Sequence, residues 1–167
     1  SINNCFLTNI YISLHATIIG NNTLSAFCAL INASTIKNVF IDININLEST
    51  EIPKSNTYYG SFSAITSKSI IKNINHRVYA ISNIQFEYFG GMFGRLENKS
   101  MLTDVFSFYT GDITSDNIGS ISASVKKSTI TNINSYVNGN MSGRIFNGGV
   151  FGEIESSIVS DLYLQMI

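Results

Sequence analysis

The sequence predicts an all-β protein: a β-solenoid (β-helix) of about six coils, with a repeat of about 30 residues and two or three short strands per coil. Three observations carry this expectation. A motif recurs along the chain, most visibly as "GGMFGRLENKSMLTDV" at 90–105 and "GGVFGEIESSIVSDL" at 148–162. Apolar residues alternate over short spans such as "FSAI", "STITNI" and "SIIKNI", the period of a strand with one buried face. Helical spacing is nowhere sustained beyond about two turns, whereas Ile, Val, Thr, Tyr and Phe, which suit a pleated surface, are frequent.

Each repeat is anchored on an Asn or Asp with an aliphatic residue two positions before it and another directly after. The six anchors are Asn9, Asn38, Asn73, Asp104, Asn132 and Asp161, spaced 29, 35, 31, 28 and 29 residues apart. In the first coil a small residue, Cys5, lies four before the anchor. The second coil runs Phe27, Leu30, Ser34, Asn38, and the third Gly60, Phe62, Ile65, Ser69, Asn73. The fourth runs Gly91, Phe93, Leu96, Ser100, Asp104, the fifth Gly119, Ile121, Ser128, Asn132, and the sixth Gly149, Phe151, Ile154, Ser157, Asp161. Stacked coils place like residues one strand spacing apart, about 4.8 Å. Phe over Phe and Ile over Ile then fill the interior, with Gly, Asn and Ser at the corners.

Apolar residues on both sides of the anchor break the alternation there, which marks a bend or bulge. The anchor row is read as a structural ladder, its amides bonding to one another and to bend backbone that has left the sheet. Asp104 and Asp161 are read as structural substitutes for Asn rather than as catalytic acids. The longest spacing contains "LESTEIPKSNT" with the only proline, Pro53, and residues 48–57 are expected to form a corner loop on a single repeat domain spanning 1–167. Neither "SINNCFLTNI" nor "SDLYLQMI" reads as a capped end. The expected partners are therefore flanking repeats or another protein packing end-on.

At this point the residues resemble a known pattern. "NGGVFGEIESSIVSDLYLQ" and "GGMFGRLENKSMLTDVFSFYTG" are similar to the GLUG-type repeat: Gly-Gly-Leu-Val-Gly, a short polar turn, then Ile-x-Asn-Cys followed by an aromatic and a small residue. The copies containing "AFCAL", "GSFSAI" and "GSISASV" keep the spacing with fewer glycines, and the family's Cys after the anchor is Val, Ile or Leu here. The resemblance covers nearly the whole chain. It implies a passive, extended β-solenoid module of a large secreted or surface-attached microbial protein, adhesins among them, and brings no catalytic residues with it.

Composition narrows the function classes. Charged residues make up 13% of the chain and the net charge is −1, so no basic field exists to gather nucleic acid. No apolar run approaches the roughly 18–20 residues of a membrane-spanning helix, and no membrane insertion within this segment is expected. His15 and His76 have no second His or Cys at metal-ligand spacing and are read as polar surface residues. Acids such as Glu48 and Glu51 do not form a calcium-binding repeat. G-x-S-x-G and P-loop motifs are missing, and no metal, cofactor or catalytic residue is assigned. Regular Thr pairs, which an ice-binding face needs, occur in one coil only, Thr129 and Thr131. Cys5 and Cys28 fall at different repeat positions and are expected to be unpaired small core residues.

One surface column stands out. The position two after the anchor reads Tyr11, Phe40, Asn75, Phe106, Asn134, Tyr163, so Tyr11, Phe40, Phe106 and Tyr163 form a candidate contact face for sugar rings or a partner chain. Sequons at Asn21, Asn32, Asn98 and Asn140 are candidates for glycosylation in a secretory pathway. The expected role is a non-enzymatic structural or adhesive segment at a cell surface or in a secreted protein, meeting a glycan or host surface. A polysaccharide-processing β-helix enzyme and an intracellular scaffold or filament component stand as the alternatives.

Overall fold

Three parallel sheets wrap the chain into coils, one strand per sheet per turn, in the computed structural model, which describes residues 1–20, 23–48, 57–82 and 86–167. The first sheet stacks β1 (Ile2–Asn3), β4 (Cys28–Asn32), β7 (Ser63–Ser67), β10 (Phe93–Glu97), β13 (Ser122–Lys126) and β16 (Phe151–Glu155). The second holds the longest strands: β2 (Phe6–Ile19), β5 (Thr35–Glu48), β8 (Ile70–Ser82), β11 (Met101–Thr110), β14 (Thr129–Asn138) and β17 (Ile158–Met166). The third contains β3 (Thr23–Leu24), β6 (Tyr58–Gly60), β9 (Phe86–Gly90), β12 (Ile113–Gly119) and β15 (Met141–Asn147). Five turns pass through all three sheets, and the sixth coil adds β16 and β17. The protein is thus the all-β solenoid that the repeat predicts, with three strands per turn.

The bend in the second sheet has one cause in all six coils. Asn9, Asn38, Asn73, Asp104, Asn132 and Asp161 all adopt the left-handed conformation, with φ between 53° and 58°. Asn and Asp tolerate this region better than other side-chain-bearing residues. One left-handed residue inside a strand shifts the alternation by one, so the neighbours at −2 and +1 both turn inward. These inward neighbours stack as Leu7–Ile36–Ile71–Leu102–Ile130–Val159 and Ile10–Val39–Ile74–Val105–Ile133–Leu162. Ile36, Ile71, Leu102, Ile130 and Ile133 are completely buried. Each such side chain contributes roughly 1.5–3 kcal/mol by leaving water.

A second left-handed corner joins the first sheet to the second. It uses Asn4, Ala33, Lys68, Asn98 with Lys99, Lys127 and Ser156 in successive coils. The small column beyond it ties this corner together. Ser34, Ser69, Ser128 and Ser157 each donate from Oγ to the carbonyl two residues earlier, at 2.7–2.9 Å. Three of these Oγ atoms also accept N–H from the coil before: Cys5 to Ser34 and Ser34 to Ser69 at 3.1 Å, and Ser128 to Ser157 at 3.0 Å. Ser100 reaches back three residues, to Glu97, because the fourth coil has one extra residue here, Lys99.

That insertion corrects the upstream columns. Counting back from the Ser column pairs Phe62 with Phe93 and Ile65 with Leu96, but the observed register pairs Phe93 with Ser63 and Leu96 with Thr66; in the sixth coil Phe151 and Ile154 likewise stand beside Ser122 and Val125, and Phe151 leaves the column of Ile121. The glycine column is likewise Gly60–Gly90–Gly119, continued by Gly148 through its backbone bond to Ile118, rather than one through Gly91 and Gly149. In this column a Cβ would overlap the carbonyl oxygen three residues ahead: Ser63, Phe93, Ser122 or Phe151. The turn from the third sheet to the first therefore requires glycine at these four positions, whereas the second coil has Ser25 and Ala26 in this stretch.

One further expectation changes, and another lies mostly outside the described residues. Cys28 is buried as predicted, but Cys5 is exposed on the first coil, and both thiols are free. Of the expected 48–57 loop, Glu48 ends β5 and Thr57 is buried ahead of β6, while Glu51 and Pro53 lie outside the described residues, as does Asn21.

Substitution of Gly90 by Ala is expected to cost more than about 3 kcal/mol, because the new methyl meets backbone that cannot move without shifting the next coil. Gly20→Ala, whose Cβ meets only the end of the flexible Leu24 side chain, is expected to stay within about 1 kcal/mol. Denaturant melts of the two variants compare these outcomes directly.

Candidate functional site: the bend ladder and the exposed aromatic column

The left-handed bend leaves the anchor side chains on the surface, and this alters their expected role. Asn9, Asn38, Asn73, Asn132 and Asp161 are exposed and Asp104 is half-buried. Among the described residues five of the six bond to one another rather than to bend backbone, and Asp161 joins no such bond. Asn38 Nδ2 donates to Asn9 Oδ1 at 3.0 Å, Asn73 Nδ2 to Asn38 Oδ1 at 2.9 Å, and Asn132 Nδ2 to Asp104 Oδ1 at 2.8 Å. The ladder is therefore directional, each amide donating to the coil before it.

A carboxylate can only accept, so an Asp ends a run in that direction. The first run is Asn9–Asn38–Asn73 and the second is Asp104–Asn132. Lys72 stands beside the break, its Nζ 3.5 Å from Asp104 Oδ2. The hydrogen bond from Asn132, assisted by Lys72, holds the Asp104 carboxyl below its ordinary range. It is therefore charged at neutral pH, the opposite of what a general acid needs.

The aromatic column faces outward as predicted, but its rings do not form one platform. Tyr11 is 70% exposed and stacks on Phe40 with centroids 5.1 Å apart and planes within 1°. The facing sides of that pair are occupied by each other. Phe106 (39% exposed) has Asn75 and Asn134 as neighbours in its column and tilts instead against Tyr136 at 5.3 Å, which in turn meets Tyr163 at 5.9 Å. Tyr136, from the next outward column, is the member that repeat spacing misses. Between ladder and aromatic column run two shallow depressions of about 360 and 220 Å³, the first along Asn9, Asn38, Tyr11 and Phe40, the second along Asp104, Asn132 and Phe106. Asn73 and Asn75 line both.

Another cluster has no signal in the repeat. Tyr58 and Tyr88 stack at 5.1 Å, and the Arg95 guanidinium lies 5.6 Å from each ring while pairing with Glu97 at 3.0 Å. These residues come from three different strands, β6, β9 and β10, and only the observed register brings them together.

The structure overturns the surface reading of His76. His15 is exposed, but His76 lies fully inside the solenoid, on the column Ile41–His76–Ser107–Ser135. Its Nε2 is 2.6 Å from Ser61 Oγ and its Nδ1 is 2.9 Å from Ser107 Oγ. A Ser beside a His suggests a nucleophile and base, but Ser61, His76 and Ser107 are all sealed from solvent, and among the described residues both ring nitrogens face hydroxyls rather than a carboxylate. The arrangement satisfies the imidazole and offers a substrate no access. Burial lowers the His76 pKa from 6.5 to about 3, against a smaller opposing effect of its hydrogen bond with the Gly91 backbone. Among the described residues no group of three His, Cys, Asp or Glu could hold a metal ion.

Set against family models, curated proteins and solved structures, the chain matches none.

Two tests follow from this geometry. Asn132→Leu is expected to lose about 1–3 kcal/mol, since a bulky residue is forced left-handed and a ladder bond disappears. Asn132→Gly, which accepts the conformation freely, is expected to lose about 1 kcal/mol or less. The second test concerns pH. Neutral His76 in the fold and a protonatable His in the unfolded chain mean that the unfolded state binds more protons below about pH 6.5. Stability due to His76 is thus complete above that pH and declines by about 1.4 kcal/mol per unit as pH falls toward 3. A His76→Gln variant should lack this part of the slope in melts across pH 7 to 4.

Proposed function

We propose that this chain is a non-enzymatic structural and adhesive segment of a larger, repetitive cell-surface or secreted protein of the GLUG-repeat type. The observation that supports this reading most is how the repeated positions are used. Apolar rows fill the interior, and Asn, Ser and Gly rows shape the corners. The exposed aromatic column and its flanking depressions supply varied surface on an invariant frame. Such a frame sets a distance and presents side chains along it, as an adhesive stalk must.

The polysaccharide-processing alternative places its acids at Asp104 and Asp161. Asp104 serves as a charged acceptor within the ladder, which supports the structural reading of that position.

Two experiments test the proposal. An antibody raised against residues 86–167 should label intact source cells or their culture medium; signal confined to permeabilised cells would overturn the surface reading. A screen for reducing-end release from neutral and acidic polysaccharides should give no activity, with Asp104→Asn and Asp161→Asn melting as the parent does. Cleavage by the parent that vanishes in either variant, at unchanged melting temperature, would establish an enzyme instead.

A further inference from the structure

The chain carries ten Lys and Arg residues. Among the described residues four hold ion pairs: Lys72 with Asp104, Arg95 with Glu97, Lys126 with Glu153 and Glu155, and Arg144 with Asp116. Lys68, Lys99 and Lys127 hold none. These three come from consecutive coils, each in the corner that follows β7, β10 or β13. With Asn98 they line a surface depression of about 470 Å³.

Several features make this more than a chance gathering of lysines. The three backbones are left-handed, with φ of 51°, 66° and 50°, a region in which Lys has no short polar group to offset the strain. Other coils place Asn4, Ala33 and Ser156 at the same corner. Like charges on neighbouring coils also repel. Lys99 is itself the inserted residue of the fourth coil, so the insertion that breaks the repeat also adds the third charge. Nearby acids are engaged elsewhere: Glu97 by Arg95, and Glu153 and Glu155 by Lys126, with Lys127 only a minor influence on Glu155. Lys68, Arg95, Lys99, Lys126 and Lys127 against Glu97, Glu153 and Glu155 leave this corner an excess of two positive charges in a chain of net charge −1, a local field that favours an anion from outside.

We propose that the Lys68–Lys99–Lys127 corner binds the sulfate groups of an anionic polysaccharide. The site spans two coil spacings, about 10 Å along the axis, which suits successive anionic groups on an extended sugar chain. Three ammonium groups are point charges without the planar fork that reads nucleic acid bases. The inference rests on the adhesive reading only for where such a glycan would be met.

The test is a titration of the intact chain with a size-defined heparin hexasaccharide at 50 and 200 mM salt. Binding is expected, weakening with a log–log salt slope of about −2 to −3 for three engaged cations. The triple substitution K68Q/K99Q/K127Q should weaken it at least about tenfold, and Lys37→Gln with Arg77→Gln should leave it within about twofold. Lys99→Glu, a single surface change, should weaken it more than Lys99→Gln does, and serves if the triple variant melts differently from the parent. No binding at 50 mM salt, or equal binding by parent, triple variant and Lys99→Glu, would overturn the site. So would single-stranded DNA bound as tightly as heparin, or inorganic sulfate bound as tightly as the hexasaccharide. Such a failure leaves the structural role intact, since localisation and glycan cleavage test that role separately.

Discussion

Six left-handed residues, one per coil at the same place in the second sheet, hold the coils in phase. Each rotates the strand so that side chains on both sides of it turn inward, and two apolar rows rather than one enter the core from that face. If one coil bent a residue earlier or later, its row would meet the neighbours one position out of register, and every inward side chain beyond would face water. Asn and Asp occupy the bend because their short polar side chains accept the conformation. Their mutual hydrogen bonds follow from being stacked there and add to a geometry already set by the backbone.

The corners divide this labour in different ways. Between the first and second sheets, serine hydroxyls bind a carbonyl of their own coil and an amide of the coil before, so one small side chain both closes a turn and fastens two layers. Between the third and first sheets the constraint is steric, and only glycine lets the chain pass so close to the carbonyl ahead. Inside, several polar side chains are paired: His76 with Ser61 and with its neighbour on the next coil, Ser107, and Ser120 with Ser135 at 2.9 Å. The hydroxyls of Tyr59 and Tyr109 have no protein partner among the described residues, and burial pushes both phenols well above their ordinary range.

Much of this was legible in the residues because a solenoid writes its register into the sequence as a period. The anchors, the Ser column and the outward aromatic column all lie close to the bend and keep a constant distance from it, so counting places them correctly. Counting failed upstream of the fourth coil because Phe93 resembles Phe62 more than it resembles Ser63, and side-chain likeness hid the inserted Lys99. His76 was misplaced for a related reason: a single polar residue on an inward row departs from the apolar pattern that defines the row. The Tyr58–Tyr88–Arg95 cluster and Tyr136 lie at contacts between different columns, which periodicity does not encode.

The inserted Lys99 also shows how length and height come apart in this architecture. A coil of 28 residues and one of 35 occupy the same step along the axis, because the step is a hydrogen-bond spacing and not a count of residues. The inserted Lys99 is taken up at a corner, where it changes the outline of the rod without altering its pitch. Reach and surface character can therefore vary independently: whole coils set how far the rod extends, and single insertions set what it displays at a given height.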